Sequence, residues 1–145
     1  MTQVDFYFNA EDKFQVACRL AGKAAQQKKR LLIFAPQDDA AARIDRLLWT
    51  WPAIGFVPHC LAGYPLAADT PVLIARDPED APPCEILLNL APDPPPFFER
   101  YARLLEIVGR DEEERSAGRV RYRRYREGGH AISDHDLAKE AARGE

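Results

Sequence analysis

Apolar positions change their period several times along the chain, and each change marks an element. Val4 to Phe8 alternates and is rich in β-branched and aromatic residues, which predicts a first strand. From Glu11 to Lys29 the residues Phe14, Ala17, Cys18, Ala21 and Ala25 recur at helical spacing, with lysines gathered where they suit the helix dipole. Leu31 to Ala35 is a short unbroken apolar run, as in a parallel strand covered on both faces. Asp38 or Asp39 is placed to cap a second helix, which runs to about Trp49 on Ala42, Ile44, Leu47 and Leu48. The order β-α-β-α is that of a parallel sheet with helices on its faces.

Periodicity lapses between Trp51 and Gly63 (WPAIGFVPHCLAG), an irregular stretch dense in aromatics and prolines. Pro71–Ala75 and Glu85–Leu90 predict two further strands on either side of the acidic, proline-rich loop Asp77–Pro83. Pro92–Pro96 suits the first turn of a helix, and Phe97, Phe98, Tyr101, Leu104, Leu105 and Val108 predict an amphipathic one after it. Asp111 to Arg126 predicts another helix, acidic at its start, basic at its end and closed by Gly128-Gly129. Residues 131–145 are polar and read as a frayed or disordered tail. The expected architecture is a single three-layer α/β domain over residues 1–130, with a mostly parallel central sheet flanked by helices. Its order is Rossmann-like, but no G-x-G-x-x-G follows the first strand, so the dinucleotide fingerprint is missing.

Composition adds limits. A chain of 145 residues suits one domain, and no apolar run approaches the ~20 residues of a membrane span. The opening MTQVDFYF lacks a signal-peptide layout, so a cytoplasmic location is expected. Cys18, Cys60 and Cys84 are far apart and match neither a disulfide framework nor a zinc site. Gly22-Lys23 falls inside a helix without the first glycine of a phosphate-binding loop, and G-x-S-x-G is missing. His59-Cys60 reads as a loop histidine beside a packed thiol, and Asp38-Asp39 as a cap. His130 and His135 flank Asp134 and Asp136 in a segment that promises no rigid scaffold for a metal. Neither an enzyme nor a cofactor or metal protein is expected.

Charge is more informative in its distribution than in its sum of −3. Six arginines and no acid lie between Arg115 and Arg126, leaving 14 basic residues against 23 acids in the rest of the chain. That layout suits capture of a discrete anionic partner. At about 100° per residue, Arg115, Arg119, Tyr122 and Arg126 form one stripe with Arg123 at its edge. Guanidinium groups take carboxylates bidentately, and a tyrosine offers an apolar wall with a polar tip. The stripe therefore suits an acidic peptide that ends in an aromatic residue and a free carboxylate. Two alternatives stay open: a solvated basic face balanced by Asp111–Glu114, and direct binding of single-stranded nucleic acid. Trp49, Trp51, Phe56, Val57 and Pro58 likewise either seal the core or form a partner patch.

These two stretches carry a resemblance. Leu48-Trp49, Pro52, Phe56-Val57-Pro58-His59 and Leu61-Ala62-Gly63 resemble the L-W…P…F-[VIL]-P-H…L-A-G pattern of the chi subunit family of bacterial DNA polymerase III holoenzyme. Arg121-Tyr122-x-x-Tyr125-Arg126, the opening Val4-Asp5-Phe6-Tyr7 and the EILLNL segment at 85–90 are similar to it too, so the likeness spans residues 1 to 130. The resemblance implies a non-catalytic α/β adaptor. Its basic helix would hold the acidic, phenylalanine-ended tail of single-stranded-DNA-binding protein, giving indirect association with single-stranded DNA. The contacts it implies are Arg119, Tyr122, Arg123 and Arg126, with Arg115 assisting, Val108 lining an apolar pocket and Arg123 standing for a family lysine. It further implies a separate surface at Phe56, with Trp49, Val57 and Pro58, for the psi subunit and through it the clamp loader. Asp111–Glu114 is unusually acidic for the family.

Overall fold

A computed structural model describes residues 2–50, 59–61, 71–77 and 84–142. Strand β1 (Gln3–Ala10) leads to helix α1 (Lys13–Gln26), β2 (Leu31–Phe34) and α2 (Asp38–Thr50). Short strands β3 (His59–Leu61), β4 (Val72–Ala75) and β5 (Ile86–Asn89) follow, then a 3-10 turn at Phe98–Arg100. The chain closes with β6 (Arg103–Gly109), α3 (Glu112–Glu127), β7 (Ala131–Asp136) and α4 (Leu137–Ala142). Among the described residues seven strands form one sheet in the order β3-β4-β2-β5-β6-β1-β7, and every pair is parallel. The expected three-layer α/β architecture is found. No helix among the described residues is long and apolar enough to cross a membrane.

Alternation along the strands divides the interior into two cores. Leu31, Ile33, Val72, Ile74, Ile86, Leu88, Leu105 and Ile107 point to one face, where α1 and α2 bring Val16, Ala17, Ala21, Ile44 and Leu48, and where Leu137 of α4 packs. Val4, Phe6, Leu32, Leu73, Leu87, Leu104 and Val108 point to the other, against Tyr125 of α3 and Phe97 and Tyr101 beside the 3-10 turn. Local signals place the helix starts. The Asp12 carboxylate accepts from the Phe14 and Gln15 amides at 3.0 and 3.4 Å and caps α1. Asp38 and Asp39, expected as the cap of α2, instead lie inside its first turn, where their charge suits the helix dipole.

Three further expectations are corrected. The stretch Trp51–Gly63 read as irregular, yet its His59–Leu61 piece is β3, in register with β4. The amphipathic helix predicted over Phe97 to Val108 does not form; the chain makes the 3-10 turn and then β6. Strand β6 lies between β5 and β1, and both of its faces are covered, Leu105 and Ile107 by one core and Leu104 and Val108 by the other. Such a strand carries apolar residues almost continuously, and Leu104, Leu105 and Val108 then mimic a helical spacing. Finally, residues 131–136 are no tail: β7 pairs with β1 from Gln3↔Ala131 to Phe8↔Asp136. Backbone pairing supplies its order, and its polar side chains find partners on β1. Gln3 donates to Ser133 Oγ at 3.1 Å, Asn9 to Asp136 at 2.9 Å, and His135 stacks on Tyr7 with ring centroids 4.5 Å apart.

Neighbouring strands β1 and β6 send the chain to opposite faces, β1 into α1 and β6 into α3. Such a switch point opens a crevice at the carboxyl ends of the strands, where open α/β sheets place their ligands. Asn9 marks the end of β1 with φ 63°, beside a register shift between Tyr7 and Ala10. Left-handed backbone suits asparagine.

Candidate functional site

Helix α3 is held against the sheet by a buried ion pair. Arg121 is 2% exposed, and its Nε donates to Glu106 Oε1 at 2.9 Å across the layer. The Tyr125 hydroxyl and the Asn89 amide donate to Glu106 Oε2 at 2.5 and 3.0 Å. A second Arg121 nitrogen donates to the Pro92 carbonyl at 2.9 Å. Burial pushes the Glu106 carboxyl up from its ordinary range, while Arg121 and the two hydrogen bonds act the other way. Since a guanidinium keeps its charge in proteins, Glu106 is its counterion. Burial also raises Tyr125, with Glu106 adding to it.

The start of α3 is set with equal care. Asp111 caps it, accepting from the Glu114 amide at 2.7 Å, and Glu114 in turn accepts from the Gly109 amide at 3.1 Å and pairs with Lys13 at 3.4 Å. Gly118 lets the helix sit close on β6: a Cβ there would lie 2.8 Å from a methyl of Val108.

With α3 so placed, one of its flanks overhangs β6, β1 and β7 and leaves a groove of about 220 Å³ at the carboxyl ends of the strands. Phe6, Phe8 and Val108 make an apolar floor, Gly118 and Tyr122 a wall, and Arg115 and Arg119 a cationic rim, with Asp134 of β7 opposite. Tyr122 packs on Phe6 with centroids 5.0 Å apart and donates to Asp134 at 3.3 Å. Partial burial raises the Tyr122 phenol, and the Asp134 charge and hydrogen bond raise it further. Arg119 donates to Glu112 at 2.8 Å with both side chains exposed, which holds the Glu112 carboxyl below its usual range. The geometry suits a ligand with an apolar end group and one or more carboxylates.

Of the residues picked from the sequence, Arg115, Arg119, Tyr122 and Val108 meet in this groove. Arg126 is exposed on the same side of the helix and is not among the groove's lining residues. Arg123 belongs to the other flank, with Arg124 and Glu127 beside Asp93 and Pro94 and near the exposed Val120. Trp49 lies in the last turn of α2, and its side chain, like Phe56, Val57 and Pro58, falls outside the described residues.

The groove, the basic helix and the parallel sheet occur together in a chain whose residues 1–133 match the family model for the DNA polymerase III chi subunit, HolC. The chain belongs to this family. Subunit chi of DNA polymerase III from Pseudomonas aeruginosa is 32% identical over 143 residues, covering 96% of this chain and 99% of that protein. The Escherichia coli subunit is 31% identical over 116 residues, 79% of each chain. That of Haemophilus influenzae is 27% identical over 124 residues, 85% of this chain and 86% of that one.

Sequence reasoning about this chi-family chain missed Phe6, Phe8, Gly118, Glu106 and Asp134. The floor residues had a signal in the alternation of Val4, Phe6 and Phe8. Gly118 had one too, since glycine inside a helix costs about 1 kcal/mol against alanine and asks for a packing reason. Glu106 stood alone in an apolar run. Asp134 had none, because only the β7 pairing brings it to the groove.

Proposed function

We propose that this chain is a non-catalytic accessory subunit of DNA polymerase III, which it links to coated single-stranded DNA by holding the acidic C-terminal tail of single-stranded-DNA-binding protein. The observation that carries this reading is the groove beside α3, an apolar floor of Phe6, Phe8 and Val108 under the guanidinium groups of Arg115 and Arg119. A terminal aromatic ring would fill the floor, and its carboxylate and the acids before it would meet the rim. Family membership and the subunit names of the relatives support the replication role. A single tail in so open a groove is held weakly, and several tails on one partner would add avidity through effective concentration.

The test is fluorescence anisotropy with a labelled acidic peptide ending in phenylalanine and a free carboxylate, against the same peptide without its last residue. Saturable binding of the first and none of the second is the expected result. Equal binding of both would leave only a basic helix and bring forward direct binding of single-stranded nucleic acid. The psi subunit is the proposed route to the clamp loader, through Phe56 with Trp49, Val57 and Pro58. Phe56→Ala should abolish co-purification with psi while tail binding persists; retention of psi would remove that surface.

A further inference from the structure

Two acids of the chain already sit on groups a ligand would use: Asp134 lines the groove, and Glu112 lies outside it on the rim residue Arg119. Glu112, in the first turn of α3, accepts from Arg119 at 2.8 Å and from the Ser116 hydroxyl at 3.3 Å. Arg119 also donates to Ser116 Oγ at 3.2 Å, so the three side chains close a ring along one face of the helix. On the opposite rim Asp134 accepts from the Tyr122 hydroxyl at 3.3 Å and lines the groove. Two of the polar groups expected to recognise an acidic tail thus have an acidic partner in cis.

We propose that Glu112 and Asp134 are internal competitors that set the affinity and selectivity of the groove. This rests on the reading of the groove as a receptor for an acidic, aromatic-ended tail. A ligand carboxylate that reaches Arg119 replaces Glu112 there, exchanging one exposed ion pair for another of similar strength. Charge alone then yields little net gain. The remainder comes from burying an apolar end group on Phe6, Phe8 and Val108. Asp134 adds repulsion against any further carboxylate near Tyr122. The result is a receptor that passes over acidic chains without an aromatic end.

The same anisotropy assay decides the matter with wild type, Glu112→Gln, Asp134→Asn and Glu113→Gln, each with both peptides. Glu113→Gln is the control: it makes the same change of net charge one residue along the helix, about 100° around from Glu112. Glutamine and asparagine keep the size and an acceptor, so the fold is expected to stand. Glu112→Gln and Asp134→Asn should each tighten the phenylalanine-ended peptide about two- to fivefold and bring the truncated one toward measurable binding, the first by releasing Arg119 from an exposed ion pair and the second by removing a like charge from the groove. Glu113→Gln should change either peptide less than about 1.5-fold. If wild type binds and the two variants gain no more than the Glu113→Gln control, the competitor idea is wrong while the receptor reading stands. If no form binds the phenylalanine-ended peptide, the receptor reading fails and takes this inference with it.

Discussion

Helix α3 carries two arginine–glutamate pairs with nearly the same bond length and opposite meaning. Arg121 and Glu106 are 2.9 Å apart at 2% and 0% exposure, while Arg119 and Glu112 are 2.8 Å apart at 60% and 75%. The first pair is closed by Tyr125, Asn89 and the Pro92 carbonyl, so neither charge can turn to water. The second faces solvent and can be exchanged for a ligand's carboxylate at little cost. Burial decides whether an arginine on this helix fastens the helix to the sheet or remains free to bind. One block of six arginines therefore divides its labour: Arg121 positions α3, and Arg115 and Arg119 occupy the rim that this placement creates.

Breaking the buried pair should have the largest effect. Glu106→Gln leaves the Arg121 charge without a counterion, and urea unfolding should show a loss of about 3–5 kcal/mol. The double variant Glu106→Gln with Arg121→Met removes both charges and should recover most of that loss. Failure to recover would show that the surrounding hydrogen bonds, not the charges, hold the helix. Arg119→Ala probes the exposed pair. Its unfolding midpoint should stay within about 0.5 kcal/mol of wild type. Affinity for the phenylalanine-ended peptide should fall about two- to fivefold, the scale of one exposed ion pair, since Glu112 is left unpaired beside the ligand's carboxylate. A large stability loss in Arg119→Ala would erase the contrast between the pairs. Gly118→Ala sharpens it by moving the helix: the new methyl meets Val108, and overpacking of about 1–3 kcal/mol opposes a propensity gain of about 1 kcal/mol. A small net destabilisation with weaker tail binding is expected, and unchanged binding would show that the groove tolerates a shifted α3.

Acid titration tests the exposed pair in another way. The Glu112 carboxyl is held below its usual range by the Arg119 hydrogen bond, so its stabilising contribution is present above the unfolded carboxylate pKa. The contribution is lost as pH falls through the depressed folded value. Glu112→Gln should remove this component from the pH dependence of unfolding, and an identical profile in both proteins would deny that the pair persists in solution.

Much of the fold was legible in advance, and the exceptions are instructive. Strands β2, β4 and β5 announced themselves as short apolar runs, α1 through its periodicity, and α3 through its acidic start, basic end and closing glycines. Strand β6 did not, because a strand covered on both faces loses its alternation, and Leu104, Leu105 and Val108 then fit a helical period as well. Strand β7 did not either: it is mostly polar and half exposed, and nothing in its side chains distinguishes it from a loose tail. For the site, the arginine stripe and Val108 were visible, whereas the assignment of Arg123 to the stripe met a helix whose two flanks face different surroundings.

By itself the sequence determined the parallel α/β class, the glycine end of α3 and a cationic block on an anionic chain, because these depend on neighbours within a few residues. Tertiary structure decided which arginines are free, what floor lies beneath them and which acids face them. Arg121 is buried on a glutamate 15 positions earlier, and Phe6 and Asp134 reach the groove only through strands paired across about a hundred residues or more. Side-chain pattern reports how much a position is buried. What it is buried against depends on strand order, and that follows from the packing of the whole sheet.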